Sequence, residues 1–326
     1  MKAAWFETVG AASEVIEVGQ RDTPSPAAGE VLVAIKASGV NPSDVKTRAG
    51  ARGPIAYPYL IPHSDGAGVI EAVGEGVDSN RVGQRVWIWN GAWKRQFGTC
   101  AEYISVPEKM AVKLPDNTGF DAGACLGIPA STACYGLFAD GEIEGQTVLV
   151  TGGAGAVGHY AIQLAKWAGA RVITTVSNED KAARAKASGA DHVINYKSGN
   201  TTEAILDAAG GRNVDRVVEV EFGGNMDVTN QVLRPGGTIA TYGSMANPTP
   251  SIPFYDMMFN GTTLRMFLVY LLQGQERTMV CDRVNAALEG GALTHEIAQS
   301  FSLSDTVSAH EAVESGTIIG NIVVTT

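Results

Sequence analysis

The feature that most constrains this chain is a glycine-rich turn, Gly153-Ala154-Gly155-Ala156-Val157-Gly158, set between an apolar run and an amphipathic one. Thr147-Val148-Leu149-Val150-Thr151 before it reads as a buried strand, and His159 to Ala168 after it has helical spacing. Gly-x-Gly-x-x-Gly alone is a weak signal in a chain with 39 glycines; the strand–turn–helix context gives it meaning. Its glycines permit a tight turn, close approach of backbone to a pyrophosphate, and close packing of helix on strand. The helix start then offers unpaired N–H groups and a positive dipole end to the phosphates. The middle of the chain is therefore expected to be a dinucleotide-binding, doubly wound parallel sheet.

The surrounding texture agrees. Arg171–Thr175, His192–Ile194, Arg216–Val220 and Thr238–Tyr242 continue a five-strand series, with a helix at Asp180–Ser188. An Ala-rich helix over Asp121–Leu137 precedes the first of these strands. Before it, short strands at Glu30–Lys36, Gly68–Gly74, Arg85–Trp89 and Ala101–Pro107 read as a barrel-like β domain. A helix over Arg277–Leu288 and a closing strand at Asn321–Thr325 are expected to return to that first domain. The division expected is 1–123 with 268–326 for the β domain and 124–267 for the nucleotide-binding domain.

A net charge of −10 repels phosphate backbones and argues against nucleic acid as the main partner, but not against one nucleotide in a local pocket. Met1–Glu7 has no signal-peptide core, and apolar runs such as Met266–Leu272 are too short to cross a bilayer. A soluble, cytoplasmic protein with no membrane partner is expected. The scattered Cys100, Cys125, Cys134 and Cys281 read as buried, reduced thiols, Cys134 being the one to watch for reactivity.

The end of the second strand separates NAD from NADP binders: a carboxylate there suits a ribose 2′-hydroxyl and repels a 2′-phosphate. Here Ser177 stands at that point, with Lys181 a helical turn later, a pair that suits a phosphate. Glu179 and Asp180 oppose this reading, and Ser177 with Asp180 also matches a helix-capping box. NADP is favoured on these residues.

Taken together the sequence resembles the quinone oxidoreductase (zeta-crystallin-like) family of the medium-chain dehydrogenases and reductases over essentially its whole length. The resemblance rests on Val40-Asn41-Pro42-Ser43-Asp44, Asp65–Gly74, Gly153–Gly158, Gln163–Lys166, Gly189-Ala190-Asp191, Ile194-Asn195-Tyr196 and Leu233–Gly237. It implies a fold of class α/β: a GroES-like β-barrel domain with an inserted Rossmann domain and an active site in the cleft between them. It implies NADPH as cofactor, with Ser177, Lys181 and Tyr196 at the adenosine phosphate. Asn41, Thr132, Ala156, Val157, Tyr242, Gly243, Ser244 and Asn321 would line the pyrophosphate and nicotinamide, beside Gly153, Gly155 and Gly158. Asn321 departs from the family, which has a more basic residue after Gly320. A homodimer is also implied, with Phe267–Leu272 a candidate for edge-to-edge pairing.

Zinc enzymes of the same superfamily place Cys, His and Cys at positions that align here with Asn41, Ser64 and Ile128, a set that does not suit zinc. His63, one residue from a ligand position, reads as a loop histidine, so no metal is expected. Without a Lewis acid the chemistry narrows to carbonyls whose conjugation already spreads the incoming charge, such as quinones or enones. Asn41, Tyr57 and Tyr59 are the candidate donors that position such a substrate, although Tyr57-Pro58-Tyr59 also reads as a surface turn. Phe254, Tyr255, Phe267 and Tyr270 are candidates for substrate pocket, core or subunit interface. The competing readings are an enone or alkenal reductase on the same scaffold and an NADPH-binding structural or regulatory protein without turnover.

Overall fold

The computed structural model describes residues 1–326. The chain divides into two compact units, Met1–Ile128 with His295–Thr326, and Pro129–Thr294. The first unit opens with β1 (Lys2–Trp5), α1 (Ala12–Val15), β2 (Glu17–Gln20), β3 (Glu30–Val40), α2 (Pro42–Arg48) and β4 (Asp65–Val73). It continues through β5 (Arg85–Ile88), β6 (Tyr103–Pro107), β7 (Ala111–Lys113) and α3 (Phe120–Gly123). β3 is its backbone, and the register shifts at Leu32/Val33 and Ile35/Ala37 bend it. Its first half lies between β4 and β6, and its second half between β4 and the chain's last strand. Val31, Val33 and Ile35 pack with Ile70, Val86, Ile88 and Ile104 in a core excluded from water.

The Ala-rich segment expected to form one helix over Asp121–Leu137 is broken. α3 ends at Gly123, a π turn covers Leu126–Ala130 with Pro129 inside it, and α4 runs Ser131–Phe138. Proline lacks an N–H and cannot continue the i→i−4 ladder, so the backbone widens there.

The second unit carries β8 (Thr147–Val150), α5 (Ala156–Trp167), β9 (Arg171–Val176), α6 (Glu179–Ala187) and β10 (His192–Asn195). There follow α7 (Thr201–Ala208), β11 (Val214–Glu219), α8 (Phe222–Val232), β12 (Leu233–Thr241), α9 (Phe254–Phe259), β13 (Thr263–Met266) and α10 (Gly274–Glu289). The strands form one sheet in the order β10-β9-β8-β11-β12-β13, and every pair is parallel. Strand order reverses between β8 and β11, the switch point at which such sheets bind ligands at their carboxyl edge. The sheet has six strands where the sequence reading found five, because β13, Thr-Leu-Arg-Met, is half polar and carries no buried-strand signature. The run expected to pair at the edge is no strand: Val269–Leu271 is a 3-10 turn with Val269 and Tyr270 buried.

The chain returns to the first unit as β14 (Ile297–Ser302), α11 (Thr306–Glu314) and β15 (Asn321–Thr325). β15 lies antiparallel to β3 and parallel to β14. The second crossing falls after Thr294 rather than after residue 267, and the first after Ile128 rather than 123. α10 accounts for the larger difference, since it packs on α4.

Candidate active site

The glycine turn joins β8 to α5. Gly152 adopts φ +67°, a conformation that disfavours side chains, and the exposed Gly155 is the N-cap of α5. A Cβ on Gly153 would stand 2.0 Å from Thr174 Oγ1, and one on Gly158 would stand 2.4 Å from the Gly152 carbonyl oxygen. These two glycines are therefore demanded by packing inside the turn. Gly155 meets nothing closer than the Gly152 carbonyl at 3.3 Å, so it keeps the outer face open. No acidic residue occupies the first turn of α5, and Ala156 and Val157 are only half-buried, which leaves the helix's positive end free for an anion.

At the end of β9, Ser177 is half-buried, and Lys181 Nζ donates to its hydroxyl at 3.1 Å. The cap of α6 is Asn178, whose side chain accepts from Lys181 N at 2.9 Å. Ser177 is thus not the capping residue, which removes the alternative reading of Ser177 and Asp180 as a capping box. Tyr196 follows β10 and is 49% exposed. It borders a cavity of ≈ 380 Å³ at the carboxyl edge of the sheet, lined also by Thr151, Gly152, Thr175, Val220 and Glu221.

The switch point holds a buried acid. Glu219 closes β11, and its Oε1 accepts from Thr151 Oγ1 at 2.7 Å, Asn225 Nδ2 at 2.8 Å and Glu221 N at 2.6 Å. Its Oε2 is buried without a partner, and burial raises its pKa above the usual carboxylate value. Tyr242, Gly243 and Ser244 follow β12 directly. Tyr242 N donates to the Glu219 carbonyl at 3.2 Å, and burial, then the Glu219 charge, push its phenol upward. Thr132 is buried on α4.

In the first unit Asn41 caps α2 in a capping box with Asp44, whose carboxylate accepts from Asn41 N at 2.8 Å. Asn41 Nδ2 and Ile128 N both donate to Asp65 Oδ2, at 2.9 and 3.1 Å. Two of the three positions that hold zinc ligands in the zinc enzymes are thus tied together by one carboxylate oxygen. Burial pushes Asp44 up to about 7 and Asp65 well above its usual value. His63 lies in a loop, as the sequence reading has it, yet it is wholly buried at φ 76° and bonded to Ser38 Oγ at 2.9 Å and His310 Nε2 at 3.0 Å. Tyr57 donates to the Lys94 carbonyl at 2.8 Å; Tyr59 packs on Phe97 under the Arg21 guanidinium. Asn321, at the start of β15, donates from both N and Nδ2 to the Glu296 carbonyl, at 2.8 and 3.2 Å. All four cysteines are free and buried, and burial pushes the Cys134 thiol up, which disfavours the nucleophilic thiolate.

Residues 27–116 match the alcohol dehydrogenase GroES-like domain, and residues 156–285 match the zinc-binding dehydrogenase family model. The quinone oxidoreductase of Rattus norvegicus is 31% identical over 293 residues, 89% of this chain and 87% of the relative. The chain belongs to the quinone oxidoreductase family. The Escherichia coli quinone oxidoreductase, solved in complex with NADPH, superposes with a TM-score of 0.86 at 26% identity, covering 100% of both chains. A 2-haloacrylate reductase of a Burkholderia species is 29% identical over 95% of this chain and 93% of its own. The fold is the family's, a GroES-like unit and a Rossmann unit within an α/β chain.

Sequence reasoning missed Asp65, Glu219, Glu221 and His310. Signals existed for Asp65, which heads the Asp65–Gly74 motif, and for Glu219, a carboxylate inside the otherwise apolar Val217-Val218-Glu219-Val220 run. The others act through partners distant in sequence.

Proposed function

We propose that this protein reduces quinones or related conjugated carbonyls with NADPH and without a metal. The observation that carries the reading is the Ser177–Lys181 pair at the end of β9, where an NAD binder holds a carboxylate, beside an α5 start free of acidic residues. Gly153, Gly155, Ala156, Val157 and Gly158 would hold the pyrophosphate, and Ser177, Lys181 and Tyr196 the 2′-phosphate. Thr132, Tyr242, Gly243, Ser244, Asn41 and Asn321 complete the proposed cofactor set. The bound nicotinamide supplies hydride. The protein's part is to orient a planar acceptor and exclude water, with hydrogen-bond donors at the acceptor oxygen. Asn41, Tyr57 and Tyr59 are the proposed positioning groups, Tyr57 having to give up its bond to Lys94 first. Absence of thiolate and imidazole at Asn41, Ser64 and Ile128 supports metal independence.

The 2-haloacrylate reductase relative favours a second reading, reduction of a conjugated carbon–carbon double bond. NADPH and NADH oxidation by EDTA-treated protein, with 1,4-benzoquinone and a simple enone as acceptors, tests both. Turnover that prefers NADPH is expected; a saturated ketone product selects the second reading, and tight NADPH binding without turnover leaves a binding protein. We also propose a cytoplasmic homodimer. It is supported by the unpaired outer side of β13 and by Phe254, Tyr255 and Phe259, which are 64%, 69% and 83% exposed. No helix is long and apolar enough to cross a membrane.

A further inference from the structure

The segment Tyr242–Asn247 is tied to the start of α8. Glu221, the N-cap of α8, accepts from Met245 N through Oε2 at 2.7 Å and from Ala246 N through Oε1 at 2.9 Å. Phe222 N donates to the Gly243 carbonyl at 2.9 Å, and Gly223 N to Ser244 Oγ at 2.9 Å. A Cβ on Gly223 would stand 2.3 Å from the Asn247 carbonyl, so the loop lies directly against the helix. Glu219 in turn anchors Glu221 from below through the Glu221 N–H.

Glu221 also lines the cavity at the carboxyl edge of the sheet. A free carboxylate in a pocket for a phosphorylated ligand repels that ligand. Here both carboxylate oxygens are engaged by backbone N–H groups, and a charged acceptor makes such bonds stronger than neutral ones. We infer that Glu221 is a positioning residue that fixes the Gly243-Ser244 loop, and with it the nicotinamide half of the dinucleotide. It acts through Met245 N and Ala246 N. The inference rests on the reading of Gly243 and Ser244 given under Proposed function.

Calorimetric binding of NADPH and of 2′,5′-ADP, which carries the adenosine phosphates and lacks the nicotinamide, tests it. For Glu221→Ala the NADPH dissociation constant is expected to rise about tenfold, the loss of about 1.4 kcal/mol. The constant for 2′,5′-ADP should stay within about twofold of wild type. Glu221→Gln, which keeps one acceptor oxygen, should fall between wild type and Glu221→Ala for NADPH. Equal weakening of both ligands would overturn the inference, because Glu221 would then act on the adenosine pocket or on the unit's stability. No weakening of either would overturn it as well. Wild-type protein that binds neither ligand would instead overturn the cofactor reading beneath it.

Discussion

Ser177 has a hydroxyl, a lysine ammonium at 3.1 Å and no duty as a cap. A phosphate placed there meets one donor and one positive charge, whereas a ribose hydroxyl gains little from either. Ser177→Asp should invert this preference, since a carboxylate repels the 2′-phosphate and accepts from a 2′-hydroxyl. The Michaelis constant for NADPH should rise at least about tenfold while that for NADH changes less, measured with one quinone acceptor. Unchanged NADPH preference would mean that the phosphate binds elsewhere. Part of this was legible in the sequence, which offers Ser177 and Lys181. Assignment of the cap to Asn178 was not, because Ser177 and Asn178 are both good capping residues and only backbone geometry chooses between them.

Polar contacts hold α11 against the rest of the first unit. Arg48 of α2, 1% exposed, pairs with Glu314 at 2.6 Å, and His310 meets His63 at 3.0 Å. Burial, then the Arg48 charge, push His310 down to about 3; burial, then His310, lower His63 as well. Both imidazoles are thus neutral in the fold but take up protons in the unfolded chain below its ordinary pKa of about 6.5. Their stabilisation is complete above about pH 6.5 and is lost as pH falls toward the folded value. Asp44 and Asp65, with raised folded values, act in the opposite sense: their stabilisation is present at low pH and lost as pH rises, for Asp44 through about 7. The informative quantity is therefore a difference between variants. Replacing His310 by Gln should reduce the slope of unfolding free energy against pH, between about 5 and 6, by about 1.2 kcal/mol per unit. Urea titrations at several pH values measure it, and an unaltered slope would mean that His310 is charged in the fold. Nothing in the sequence paired His63 with His310, which lie 247 residues apart.

For the whole molecule, the outer side of β13 and the exposed aromatics of α9 lie in the same unit, and Met266 of β13 is 61% exposed. An unpaired strand with apolar neighbours is a surface that proteins ordinarily cover. Phe259→Glu with Met266→Lys should convert a sedimenting dimer into a monomer, because two charges per subunit would be buried in the interface. A wild-type protein that sediments as a monomer at micromolar concentration would remove the homodimer. The sequence reading looked for this edge in Phe267–Leu272. That run forms a 3-10 turn that buries Val269, Tyr270 and Leu272 and leaves Leu268 and Leu271 exposed, so the half-polar Thr263–Met266 is the edge strand.

The sequence by itself determined the features whose physics is local. A glycine turn between a buried strand and a helix needs only neighbouring residues to be recognised, and so does the alternation of strand and helix that winds the sheet. The β-branched runs of the first unit declare strands in the same way. The tertiary structure alone decided what depends on partners far along the chain. It brought Asn41 and the Ile128 N–H to one oxygen of Asp65, buried Glu219 at the switch point, and set Glu221 on the loop after β12. It also broke the helix at Pro129 and moved α10 into the second unit. A buried polar group takes its meaning from what satisfies it, and hydrophobic pattern carries no record of which distant atom that is.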